Sequence, residues 1–497
     1  MSYFSTRGGA FATASQAILK GLAPDGGLFV PSMFPPVSLE EISAMADMDY
    51  IHRAVFILKL YLEDFSEQEI LDAVTAAYDP AKFDDPAIAP VREIADNTAM
   101  LELYHGPTLA FKDMALQLLP HLTTLSARKN GENREISILV ATSGDTGKAA
   151  LEGFRDVPGT SCTVFYPNEG VSPVQQLQMT TTGGANTHVI AVDGNFDDAQ
   201  TGVKELFASP EFNAEINGRG KVLSSANSIN FGRLVPQVVY YFSAYCDLVK
   251  QGKIHLGDEV NFCVPTGNFG DILAGYYARN MGLPVRRLIC ASNRNDVLTD
   301  FFNKGGVYDV RRTFFKTMSP SMDILVSSNL ERLLFEACDR DGALVKLWME
   351  QLKTCGSYAV GEQRLEWMRS VFSAGCTEED ECAEEIRLTQ SILGVLMDTH
   401  TAVASRVLRK YRRETGDDTY SVIVSTASPY KFARDVLSAI EQKPTALDAF
   451  DASTRLEELT GMPVPQQVKE LRSLPVLHTA RCARDKMAEA VLKEFDK

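Results

Sequence analysis

The chain has 497 residues, 45% of them hydrophobic and 23% charged, a composition that suits a water-soluble protein of two or three domains with substantial cores. A net charge of −16 argues against generic binding to nucleic acid or anionic membrane, and no apolar run reaches the length of a membrane span. Nine cysteines without a Cys-x-x-Cys pair read as reduced thiols of a cytoplasmic chain, and seven histidines without metal-ligand spacing make a zinc site unexpected.

Residues 1–95 form a mixed N-terminal module. The opening Met1-Ser-Tyr-Phe-Ser-Thr-Arg-Gly-Gly lacks the apolar core of a secretion signal but is unusually polar and specific. Residues 11–22 have helical spacing, Ala23-Pro-Asp-Gly-Gly27 is a turn, and residues 28–30 make a short strand. Helical spacing returns at 39–45, 51–62 and 67–77, and Pro80, Pro86 and Pro90 punctuate the exit.

From residue 96 the pattern is α/β. The stretch Leu103-Tyr-His-Gly-Pro-Thr-Leu-Ala-Phe-Lys-Asp-Met-Ala-Leu-Gln-Leu-Leu119 sets one lysine, Lys112, among apolar neighbours after a Gly106-Pro107 turn, with Thr108 as the expected helix cap. One reading is a lysine that snorkels from an amphipathic helix. The other is an amine made neutral by desolvation and a helix dipole, able to form a Schiff base. Short apolar strands follow at 135–141, 161–166, 187–192, 260–264, 287–291 and 421–425, most of them leading into helices. Such alternation predicts parallel sheets covered on both faces, with ligands in the loops at the carboxyl ends of the strands. The expected division is a smaller α/β domain at 96–220, a larger one at 221–444 and a charged helical segment at 445–497.

Four of these loops carry candidate chemistry. In Pro265-Thr-Gly-Asn-Phe-Gly-Asp271, Gly267 and Gly270 permit a turn whose N–H groups converge on an anion at a helix start, although a plain βα turn has the same composition. Thr142-Ser-Gly-Asp-Thr-Gly147 ends in Gly147-Lys148 but fails the Walker pattern at Thr142 and Ala149, which disfavours a nucleoside triphosphatase. It remains a hydroxyl-rich pocket for a carboxylate or phosphate, in which Asp145 suits an amine, a phenolic oxygen or a helix cap. Ser225-Ala-Asn-Ser-Ile-Asn-Phe-Gly-Arg233 offers amide, hydroxyl and guanidinium donors, either for a phosphate or as a helix cap beside a surface arginine. Thr426 ends a strand, where its hydroxyl can meet a ring nitrogen or simply cap a turn.

Together these stretches closely resemble the threonine synthase family of the long bacterial and fungal type. The carrying segments are Ser5-Thr-Arg-Gly8, His105-Gly-Pro-Thr-Leu-Ala-Phe-Lys-Asp113, Ala141-Thr-Ser-Gly-Asp-Thr-Gly147, Ser225-Ala-Asn-Ser-Ile-Asn230, Gly267-Asn-Phe-Gly-Asp271 and Asp398-Thr-His-Thr-Ala-Val-Ala404, in the family's order across nearly the whole chain. The resemblance implies a tryptophan-synthase-β-like fold of type II, with two parallel-sheet α/β domains flanking pyridoxal 5'-phosphate. It implies Lys112 as the Schiff-base lysine, Gly267, Asn268, Phe269, Gly270 and Asp271 as the cofactor phosphate loop, and Thr426 as partner of the pyridine nitrogen. By the same resemblance Ser143, Asp145 and Thr146 face the substrate carboxylate and cofactor, and Asn227, Ser228 and Arg233 hold the substrate's phosphate. Short-type relatives have Asn at the position of Asp145, and many relatives have Pro at that of Thr399. The implied reaction takes O-phospho-L-homoserine and water to L-threonine and phosphate in a monomer or homodimer. A serine/threonine dehydratase of the same fold and a catalytically silent cofactor- or anion-binding homologue are the rival readings.

Overall fold

The computed structural model describes residues 1–9, 11–142, 144–168 and 171–496. Within them, two sheets of mostly parallel strands carry the fold. The larger runs, in spatial order, Phe372–Cys376, Val285–Ser292, Val260–Pro265, Ser421–Ser425, Thr98–Glu102 and Val91–Ala95, with only the last pair antiparallel. The smaller is parallel throughout: Ala480–Ala483, Thr187–Asp193, Thr160–Pro167, Glu135–Ala141 and Lys221–Ser224. Their central strands are buried along their whole length because helices cover both faces, so none of them alternates between a buried and an exposed side.

Helix Phe231–Lys250 is buried along nearly its whole length, as its apolar and aromatic residues all round require. It packs on Gly270–Met281 and on the N-terminal helices Leu39–Ala46 and Tyr50–Tyr61. Pro236 lies inside it, and the Gln237 amide donates to the Arg233 carbonyl at 2.6 Å in the same turn.

Three of the N-terminal helices begin at capping boxes: Thr13 with Gln16, Ser38 with Glu41 and Ser66 with Glu69. The first of these shortens the helix expected at 11–22. Thr13 starts it one residue before Ala14–Lys20, while Phe11 and Ala12 pair antiparallel with Phe4 and Tyr3.

The sheets also cross the divisions expected from sequence. Val91–Ala95 and Thr98–Glu102 are paired with each other around Asn97 (φ +53°), so a boundary at 95/96 falls inside a strand pair of the larger sheet. Lys221–Ser224 belongs to the smaller sheet. The C-terminal segment serves both units. Helices Ala449–Thr460 and Gln466–Leu471 pack on the larger one through Ala452, Leu456 and Val468. Strand Ala480–Ala483 then extends the smaller sheet beside Thr187–Asp193, and Met487 and Val491 join its core. Hydrogen bonds between distant strands decide these memberships, and local periodicity carries no record of them.

Candidate active site

Lys112 is the first residue of a five-residue helix, Lys112–Leu116, preceded by a turn in which Leu109 has φ +58°. The turn is stitched to the exit of strand Ser421–Ser425: Phe111 N–H donates to Thr426 O at 2.8 Å, and Ser428 N–H to Leu109 O at 3.0 Å. Lys112 and Thr426 are thereby neighbours although 314 positions apart in sequence. The Thr426 hydroxyl has no hydrogen-bond partner among the described residues. Thr108 is not the helix cap expected from sequence. Its N–H and hydroxyl both donate, at 2.8 Å, to the buried carboxyl of Asp113, which burial pushes up to about 6. The turn wraps this carboxyl so tightly that a Cβ on Gly106 would lie 2.6 Å from Asp113 Oδ2.

The Lys112 side chain is 12% exposed. Its Nζ faces Ser321 Oγ at 3.3 Å and Asp145 Oδ2 at 3.6 Å. Burial lowers its proton affinity, and the Lys431 and Arg233 cations add to that against the opposing pull of Asp145. Asp145 opens helix Asp145–Phe154 and faces two amines: Oδ1 lies 3.2 Å from Lys431 Nζ and Oδ2 points to Lys112. Gln175 Nε2 donates to Oδ1 at 3.2 Å and Ser321 Oγ to Oδ2 at 3.1 Å. Burial would raise this carboxyl, but Lys431 and Lys112 outweigh it and hold it well below the usual carboxylate range. In the same loop, the Thr142 hydroxyl accepts from Gly144 and Gly147 N–H, and Thr146 is half-buried at the start of the helix. Ser143 lies outside the described residues. Lys148 turns away to Glu152 and to Thr182 Oγ1.

The loop at 267–271 joins Val260–Pro265 to Gly270–Met281. Phe269 takes a left-handed backbone (φ +63°) while its ring packs against Phe302 and Phe372. Among the described residues no acceptor meets the N–H groups of Asn268, Phe269, Gly270 and Asp271. A Cβ on Gly267 would lie 2.8 Å from the Ser321 carbonyl oxygen, so this position needs glycine. The Asn268 side chain is exposed. The Asp271 carboxyl instead faces the core, accepting at Oδ1 from Tyr240 (2.6 Å) and Tyr241 (2.8 Å), and burial pushes it up to about 6. What Asp271 offers an anion is its N–H.

Residues 225–230 lie against this loop. Asn329, a residue sequence reasoning passed over, ties them together: its side chain donates to Ser228 O (3.3 Å) and Asn268 O (3.1 Å). Asn227 is exposed and Ser228 half-buried. Arg233 is 5% exposed, with one hydrogen bond, from Nη1 to Ala226 O at 2.8 Å. Its Nε is buried without an acceptor, no carboxylate pairs with it among the described residues, and burial lowers its proton affinity to about 10. A guanidinium held this way is costly unless an anion joins it.

Three further residues were missed. His400, within the quoted Asp398–Ala404 stretch, accepts from Ser321 N–H at Nε2 (3.1 Å) while Nδ1 faces Asp398 at 2.7 Å, which aims Ser321 at Lys112. Ser321 itself carries no local sequence signal. Lys431 does: it is a lysine between Tyr430 and Phe432 just past a strand's carboxyl end, set among apolar neighbours as Lys112 is.

A buried amine of lowered basicity among residues of both α/β units, with an N–H cradle and a guanidinium that no carboxylate pairs among the described residues, defines a pyridoxal-phosphate enzyme. The donor set fits that cofactor: an aldehyde-reactive amine, free N–H groups for a phosphate and a free hydroxyl at Thr426. Three family models match the chain, described as "Threonine synthase N terminus" (residues 2–78), "Pyridoxal-phosphate dependent enzyme" (95–351) and "Threonine synthase, C-terminal" (401–475). Threonine synthase of Pseudomonas aeruginosa is 42% identical over 93% of this chain and 96% of its own. Human threonine synthase-like 1 is 40% identical over 96% of this chain, which spans only 63% of that protein's length. The crystal structure of pyridoxal-phosphate-bound threonine synthase from Brucella melitensis superposes with a TM-score of 0.88 at 38% identity, covering 99% of both chains. The chain belongs to the threonine synthase family of pyridoxal-phosphate-dependent enzymes.

Proposed function

We propose that this chain converts O-phospho-L-homoserine and water to L-threonine and phosphate, with pyridoxal 5'-phosphate carried on Lys112. One observation carries the reading: near Lys112 stand two separate groups able to hold an anion, the N–H groups of residues 268–271 and the Arg233 guanidinium, whose Nε meets no acceptor. Two such groups suit a cofactor and a substrate that each bear a phosphate, whereas free serine or threonine, a dehydratase's substrates, bring only a carboxylate.

When bound, the cofactor supplies an electron sink that lets C–H bonds near the substrate amine ionise. In this reading Lys112 anchors it, the N–H groups of residues 267–271 hold its phosphate, and the Thr426 hydroxyl meets its ring nitrogen. Lys112 Nζ, once displaced by the substrate amine, is the base that takes the Cα proton and later returns one. Ser143 and Thr146 serve the substrate carboxylate, while Asp145 orients the amine of Lys112. Arg233, with Asn227 and Ser228, binds the substrate's phosphate and stabilises its charge as the carbon–oxygen bond breaks. A cytoplasmic location and a monomeric or homodimeric state complete the proposal, to be checked by cell fractionation and sedimentation.

The test is borohydride reduction of the holoenzyme with peptide mapping, beside an assay of O-phospho-L-homoserine for threonine and phosphate in equal amounts. A pyridoxyl group on another lysine, or phosphate release without threonine, overturns the proposal. So does ammonia release from serine or threonine in place of that reaction.

A further inference from the structure

Lys431 has no part in the reading above. It lies in the short helical turn Pro429–Phe432 beyond strand Ser421–Ser425, and its side chain is 1% exposed. Its Nζ donates to the Thr108 carbonyl at 2.8 Å and pairs with Asp145 Oδ1 at 3.2 Å. The other oxygen of Asp145 lies 3.1 Å from Ser321 Oγ and 3.6 Å from Lys112 Nζ. One buried carboxylate therefore stands between two lysines delivered by different parts of the fold.

Two ammonium groups facing one carboxylate in a buried site repel each other, and one of them gives up its proton first. The contacts decide which. Lys431 has the shorter ion pair and a carbonyl that can only accept, so two acceptors hold its ammonium. Lys112 has a hydroxyl and the longer contact. The other groups that act on Lys112 are the Arg233 guanidinium and the ring of Phe111, 5.6 Å from Nζ, while Gln175 and His400 act through Asp145.

We propose that Lys431 is a positioning residue for Lys112: it clamps Asp145 by one oxygen, takes up that carboxylate's charge, and leaves the reacting amine without a full counter-ion. The idea rests on Lys112 being the cofactor lysine. It explains why an acidic side chain can stand in a site built for anions, since its charge is already matched by Lys431.

The experiment uses the holoenzyme and the variants Lys431→Met, Lys431→Gln and Lys431→Arg. Borohydride peptide mapping of the wild-type protein comes first; a pyridoxyl group elsewhere than on Lys112 sinks the functional reading rather than this one. The pH midpoint of the bound cofactor's visible absorption is then measured with the pH profile of kcat. Removing the Lys431 charge leaves Asp145 free to hold a proton on its neighbour. The midpoint in Lys431→Met therefore rises by about one pH unit, a tenfold gain in proton affinity. Below the new midpoint kcat falls about tenfold while KM changes less than about threefold, and Lys431→Arg recovers most of the shift. Lys431→Gln keeps a donor for the Thr108 carbonyl without the charge and gives the same shift, so it serves if Lys431→Met does not fold. A midpoint and profile equal to wild type in the uncharged variants, or an equal shift in Lys431→Arg, overturns the proposal. A purely structural role would lower cofactor content and kcat without moving the midpoint.

Discussion

At the scale of single residues, the site holds its charges at a cost that only ligands relieve. Arg233 shows this most plainly, with a buried Nε that meets no acceptor. Replacing it with Met removes the unpaired charge along with one hydrogen bond to Ala226 O. Arg233→Met is expected to stabilise the ligand-free protein by about 1–3 kcal/mol while abolishing the stabilisation that added inorganic phosphate gives the wild type. Calorimetry with and without phosphate checks both, and a less stable variant would show that the charge is not stranded. Asp271 makes a different prediction. Its carboxyl is pushed up to about 6 in the fold, so the ionised form is disfavoured there, and the stability present below the unfolded value near 4 is lost as pH rises through 6. Asp271→Asn keeps an acceptor for Tyr240 and Tyr241, so its urea midpoint is expected to fall less than the wild-type midpoint between pH 4 and 6.5. Lys112 and Arg233 were legible as candidates from the composition of their own short stretches. Ser321 was not, because what gives it meaning is His400, 79 positions away.

At the scale of elements, strand ends and turns aim the chemistry, and the close approaches between them explain the glycines. Adding a methyl group at Gly267 drives it into the Ser321 carbonyl, and that loop also carries the hydroxyl facing Lys112. Gly267→Ala is expected to weaken cofactor retention at least about tenfold, read by visible absorbance after gel filtration; full retention would mean that the N–H groups there do not hold the phosphate. Asn329 does a comparable job between two loops. It shares its amide between the Ser228 and Asn268 carbonyls and accepts from the fully buried Arg332. The polar opening of the chain belongs to this assembly: Thr6 and both nitrogens of an Arg7 fork meet Glu331, beside Arg332. Sequence marked that opening as specific but gave no partner for it.

At the scale of the molecule, the C-terminal segment crosses from one α/β unit to the other. Deleting residues 473–497 strips strand Ala480–Ala483 from the edge at Thr187–Asp193 and uncovers the apolar positions that Met487 and Val491 fill. The truncated chain is expected to melt at least about 5 °C lower and to aggregate on heating, as light scattering during the melt would record. An unchanged melt would make the added strand an ornament. The sequence alone determined the alternation of strands and helices and marked the lysine and the two anion loops as candidates, because each is written in neighbouring residues through periodicity, side-chain reach and glycine freedom. It could not determine that Val91–Ala95 sits in the larger sheet, that Asp271 turns to the core, or that Asp145 stands between Lys112 and Lys431. Those were decided by tertiary structure, since hydrogen-bond partners and charge neighbours hundreds of positions apart are selected by packing and by the need to satisfy every buried polar group.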